Sequence, residues 1–104
     1  MKIYLAGKLT GDPSYREKFK TVAAELERQG HNVMNPATMP DGFEYEEYMQ
    51  ICFKMIDVCQ AICFLPDWRE SPGAKREREK AKRDGKPMFY LHQKPGGFEM
   101  RMDK

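Results

Sequence analysis

Ser71-Pro72-Gly73-Ala74, followed by Glu77, is the stretch of this chain whose residue types and spacing most suggest chemistry. Ser71 is a good helix N-cap, Pro72 suits the first turn, and Gly73 leaves the backbone open to a close visitor. Free N–H groups at a helix start attract an anion. Between Ala74 and Asp84 the only apolar residues are Ala74 and Ala81, seven apart on one face, which must be the face turned to a sheet. Glu77 stands on that same stripe, three residues after Ala74 and four before Ala81. Lys75, Arg76, Arg78, Glu79, Lys80, Lys82 and Arg83 fill the other positions. One carboxylate is therefore set against the core, about two turns from the anion-attracting end. Buried carboxylates are uncommon unless paired or functional. The plain alternatives are a well-capped helix and a solvated glutamate on a charged helix.

Tyr4 is the next candidate. It interrupts the aliphatic run Ile3 to Ala6 just before a loop, where its hydroxyl either packs in the core or reaches the floor of a cleft. Trp68 lies in a predicted rim loop and either stacks on a planar ring or covers the sheet edge. Lys8 and Thr10 are placed to meet a phosphate, although Gly7 to Gly11 has neither the Walker nor the G-x-G-x-x-G spacing. His31 and His92 read as ordinary polar residues. The three cysteines, Cys52, Cys59 and Cys63, lack the C-x-x-C pairs or accompanying histidines of a metal site. They read as reduced, buried, small apolar side chains of a cytoplasmic protein.

These residues need elements to position them. The chain has 104 residues, enough for one domain. Eighteen basic against sixteen acidic side chains give a net charge of +2, which argues against a strongly basic nucleic-acid arm or an acidic tail. No apolar stretch approaches the ~20 residues of a membrane span, and the first residues lack signal-peptide anatomy. Strands are expected at Ile3 to Ala6, His31 to Met34, Ala61 to Leu65 and Pro87 to Leu91. Helices are expected after Asp12-Pro13 up to Gly30, over Tyr45 to Ile56, and from Ser71 to Gly85. Gln93 to Lys104 shows no clear period and is expected to be a loop, an arm or a short strand outside a domain of residues 1–92. The β-α-β-α-β-α-β order predicts an α/β fold with a parallel sheet covered by helices on both faces. Ligands of such sheets bind beyond the C-terminal strand ends, which points to the loops Gly7 to Gly11, Asn35 to Phe43 and Pro66 to Gly73.

The run Ile3-Tyr4-Leu5-Ala6-Gly7, then Val33-Met34-Asn35-Pro36, then Leu65-Pro66-Asp67-Trp68, then Ser71-Pro72-Gly73-Ala74 with Glu77 and Ala81, resembles the nucleoside 2-deoxyribosyltransferase-like family. The likeness is to its small, often bacteriophage-encoded branch, related to the 2′-deoxynucleoside 5′-phosphate N-hydrolases, and it covers residues 1 to about 91. The resemblance implies a Rossmann-like or flavodoxin-like three-layer sandwich with a four- to five-stranded parallel sheet. It implies cleavage or exchange of the N-glycosidic bond of a deoxynucleoside or deoxynucleotide. Glu77 would be the nucleophile and Tyr4 would orient it. Gly7, Lys8, Thr10, Asn35, Gln60, Trp68, Ser71 and Gly73 would bind the substrate. Ser71 stands where nucleoside-using members carry a carboxylate, so a 5′-monophosphate is the expected substrate. No cofactor or metal is implied, and a homodimer or higher homo-oligomer is. Gln60 and Cys52 stand where relatives carry aspartates, which favours an alternative, a catalytically silent nucleotide-binding module. The basic residues of Lys75 to Arg83 could also meet nucleic acid, but a solvated helix face explains them better.

Overall fold

The computed structural model describes residues 1–104. Strand β1 (Lys2–Ala6) leads into helix α1 (Tyr15–Arg28), β2 (Asn32–Met34), a 3-10 turn (Pro36–Thr38) and α2 (Tyr45–Val58). Strand β3 (Ala61–Phe64), a second 3-10 turn (Trp68–Glu70), α3 (Pro72–Arg83), β4 (Met88–Lys94) and β5 (Gly97–Arg101) complete the chain. The fold is mixed α/β, with three helices and a five-stranded, mostly parallel sheet in the order β2-β1-β3-β4-β5.

Side-chain alternation along β1 divides the core. Ile3 and Leu5 pack with Phe19, Val22 and Leu26 of α1. Tyr4 and Ala6 point the other way, to Cys52 and Ile56 of α2 and to Ala74 and Ala81 of α3. Cys63 and Leu65 belong to the α1 side, and Ile62 and Phe64 to the α2–α3 side. The central strands are thus buried on both faces, which is why β1 and β3 read as unbroken apolar runs. The chain passes from β1 to β2 on one side and places β3 on the other side of β1. The loops after β1 and β3 therefore diverge and open a crevice.

Two details differ from the sequence expectation, the start of α1 and the direction of the fifth strand. Helix α1 begins at Tyr15, not at Pro13: Asp12 accepts the N–H and hydroxyl of Ser14 and its carbonyl accepts the Tyr15 N–H, a separate turn ahead of the bond from the Lys18 N–H to the Ser14 carbonyl. Gly30 does end α1, with a φ of +97°: its N–H bonds Glu27 and the next N–H, of His31, bonds Leu26, a Schellman closure. Beyond residue 92 the chain takes the short strand among the three forms left open for it. Strand β4 continues to Lys94, and β5 returns antiparallel to it, pairing Leu91 with Met100 and Gln93 with Phe98. The sheet is thus not wholly parallel, and its fifth strand comes from the expected tail. Phe98 and Met100 do alternate with polar residues and cover the α1 side of the core. The run is short and opens with Pro95-Gly96-Gly97, which hides its period of two. No helix is long and apolar enough to cross a membrane.

Candidate active site

A cavity of about 590 Å³ lies in the crevice beyond the C-terminal ends of the parallel strands. The loop after β1 contributes Gly7, Leu9 and Thr10, and α1 contributes Tyr15. Pro36, Met39 and Asp41 come from the segment after β2, and Tyr45, Tyr48, Met49 and Cys52 from α2. Glu70 to Ala74 and Glu77 form the remaining wall.

Glu77 sits at the base of this cavity with 5% of its surface exposed. Its place on the sheet-facing stripe of α3 follows from Ala74 and Ala81, which are also buried. Fully buried Tyr4 donates its hydroxyl to Glu77 Oε2 at 2.5 Å. A short bond of this kind is expected between a phenol and a carboxylate. Burial pushes the Glu77 carboxyl up to about 7, against the pull of Tyr4, Cys52 and Arg76 toward the ionised form. Burial and the neighbouring carboxylate raise the Tyr4 hydroxyl well above its ordinary value, so it stays protonated and keeps its proton to donate to Glu77. The Cys52 thiol is pushed up to about 12, first by burial and then by Glu77. It is an inert thiol beside the pair rather than a reactive one.

The start of α3 forms the rim. Ser71 Oγ accepts the N–H of Ala74 at 3.0 Å, a cap worth about 1 kcal/mol, while Pro72 fills the first turn. A Cβ on Gly73 would stand 3.4 Å from Met49 Sδ and 3.5 Å from Tyr45 Oη, filling the gap that the bare glycine leaves between α3 and α2. Gly7 is the tighter position: a Cβ there would meet Leu65 Cβ at 3.0 Å and Asp67 Oδ1 at 3.1 Å, so these neighbours would have to give.

The loop after β1 is clamped. Lys18 Nζ donates to the Lys8 carbonyl at 2.9 Å, to Asp12 Oδ2 at 2.6 Å, and to Asp67. Asp67 in turn accepts the Lys8 N–H at 3.1 Å. The hydrogen bond from Lys18 and those from Ser14 hold Asp12 down at about 2. One ammonium thus ties the loop after β1 to the loop after β3.

Of the residues expected at the site, the structure brings Gly7, Thr10, Ser71, Gly73 and Glu77 into one cavity wall, with Tyr4 directly behind Glu77. Four others lie elsewhere. Gln60 precedes β3 at the opposite end of the sheet, where its side chain accepts the Lys2 N–H at 2.9 Å. Asn35 turns its side chain to the Ala37 N–H and caps the first 3-10 turn. Trp68 is 8% exposed and packs beside Phe64 and Tyr90, with the Arg69 and Arg78 guanidinium groups over its ring. Lys8 is absent from the wall and reaches over the rim to Glu70 at 3.3 Å. Sequence reasoning pointed to the loops that hold Met39, Asp41 and Glu70 without singling those residues out, missed Tyr15, and treated Tyr45, Tyr48 and Met49 as helix periodicity alone. The last three share a stripe with Cys52, and that stripe is half core and half cavity wall.

With fold and cavity in view, the chain belongs to the family described as a domain of unknown function (DUF4406), whose model matches residues 1–90. The match ends inside β4, so β5 lies beyond it. No curated protein matches the chain.

Proposed function

We propose that the protein cleaves or exchanges the N-glycosidic bond of a 2′-deoxynucleoside, as its 5′-monophosphate, with Glu77 as nucleophile. The observation that carries this reading is the buried Glu77–Tyr4 pair at the base of an open cavity of about 590 Å³. A carboxylate there suits an oxocarbenium-like transition state at the anomeric carbon. A Glu77 oxygen bonds to that carbon as the bond to the base nitrogen breaks. The base leaves with the electron pair and takes up a proton. Water or a second base then displaces Glu77 and regenerates the carboxylate. The tyrosines and methionines of the wall offer flat and adaptable apolar surface for a base. The start of α3 offers N–H groups to a 5′-phosphate. The strand order and the helices on the two sheet faces support a Rossmann-like three-layer arrangement. Three free cysteines fit a reducing, cytoplasmic setting.

The test is incubation with a panel of deoxynucleoside 5′-monophosphates, with and without an acceptor base, and chromatography of free base. Free base must appear; a panel left untouched ends the reading. The silent binding module keeps one observation in its favour. The other carboxylates of the wall are engaged in ion pairs, Asp41 with Arg16 and Glu70 with Lys8, and no histidine lines the cavity to protonate a leaving base. Calorimetric binding of a monophosphate without base release would select it.

A homodimer belongs to the same proposal. Ile51 and Val58 stand seven residues apart on the outward face of α2, exposed by 43% and 62%, with Phe43 exposed just before the helix. Light scattering is expected to give at least twice the 12.2 kDa chain mass; a strict monomer removes this part.

A further inference from the structure

The cavity wall carries three carboxylates, Asp41, Glu70 and Glu77, and no lysine, arginine or histidine. That balance disfavours a doubly charged phosphate unless a cation can be brought to it. One is in place. The Lys8 backbone is held at both ends, its N–H by Asp67 and its carbonyl by Lys18. Only its side chain is free to move, and this crosses the mouth to Glu70, the residue before the helix cap Ser71. Glu70 therefore occupies with its own negative charge the region where a phosphate would meet α3. The pair is 3.3 Å long, and its side chains are 31% and 65% exposed, so it is a weak and exchangeable contact.

We infer that the Lys8–Glu70 ion pair is an internal competitor for phosphate, with Glu70 setting how much negative charge the site accepts. In the empty protein Glu70 holds Lys8. A phosphate at the start of α3 repels Glu70, takes over Lys8, and gains from Lys8 only the difference between the two contacts. The inference rests on the monophosphate reading, and it names the residue that decides between a phosphorylated and an unphosphorylated ligand.

The test measures binding, not turnover. Calorimetry is run with inorganic phosphate, 2′-deoxyadenosine 5′-monophosphate and 2′-deoxyadenosine on the full chain, Glu70→Gln, Lys8→Met and the double variant. Glu70→Gln is expected to tighten both phosphate ligands about three- to tenfold and to leave the uncharged nucleoside unchanged. Lys8→Met is expected to weaken both phosphate ligands. In the Lys8→Met background the gain from Glu70→Gln must shrink, because no cation is left to release. An equal gain in both backgrounds, no gain in either, or a gain shared by the nucleoside overturns the inference. Failure of the glycosidase reading shows up separately, as absence of free base from the unaltered protein.

Discussion

Glu77→Gln is expected to release base about a thousandfold more slowly than the natural protein, and to be the more stable of the two above neutral pH. In the proposed reaction the amide cannot attack the anomeric carbon or form a glycosyl ester, so the step that reading requires is removed. The stability gain follows from burial. Glu77 titrates near 7 in the folded protein against an ordinary value of 4.5. Between those two pH values the folded protein holds a proton that the unfolded chain has lost. Stability contributed by this group is thus complete below about pH 4.5, falls as the pH rises through 7, and is gone beyond it. At pH 8.5 the natural protein carries a desolvated charge costing about 3 kcal/mol, which a neutral glutamine avoids. The glutamine oxygen can still accept the Tyr4 hydroxyl, so the geometry survives. Thermal unfolding should show the variant melting on the order of 10 °C higher at pH 8.5. The two curves should converge near pH 4.5, where both side chains are neutral. Every other carboxylate is common to the two proteins and cancels in the difference. A variant less stable at pH 8.5, or a difference that ignores pH, would mean that Glu77 is not a strained anion.

The burial of Glu77 was legible before any coordinates because a helix face is a local property. Ala74 and Ala81 are the only apolar residues on α3, and the residue between them on their stripe has to follow them inward. The core strands were legible for a similar reason, since double burial removes polar alternation from Ile3 to Ala6 and from Ala61 to Leu65. Positions that depend on which end of the sheet a residue occupies were harder. Gln60 precedes a parallel strand and therefore sits away from the cavity, a consequence of strand direction rather than residue type. Asn35 and Trp68 have side chains suited to substrate contacts, yet a 3-10 turn and an aromatic cluster engage them first. Asp41 and Glu70 lie in loops that the strand-end rule marked, yet neither stood out within them, because an acidic residue in a loop looks the same whether it faces a cavity or open solvent. The clamp around Lys18 was hidden for another reason: it joins residues from two loops and a helix whose approach is set only by tertiary packing.

Tyr4→Phe is expected to displace the acid limb of the pH–rate profile upward rather than to abolish the reaction. The Tyr4 hydroxyl is the strongest contact that favours the ionised form of Glu77. It also has no other state to offer, since its own titration lies far above the working range. A hydrogen bond to a charged acceptor contributes about 1.5–3 kcal/mol, which corresponds to about one to two pH units. Without it Glu77 is expected to ionise near pH 8 to 9, by that same conversion of about one to two units. Base release at pH 6.5 should then fall at least about tenfold, with much of the loss recovered at pH 9.5. A merely structural tyrosine would lower the rate evenly at every pH. The displacement can also be read without substrate. In the natural protein the stability contribution of Glu77 is spent by about pH 7, whereas in the phenylalanine variant it should go on declining for another one to two units. Agreement of the kinetic and thermal midpoints would assign both to one carboxyl group. An unshifted midpoint in both measurements would show that Tyr4 packs against Glu77 without tuning it, and the pair would lose its claim to be a catalytic device.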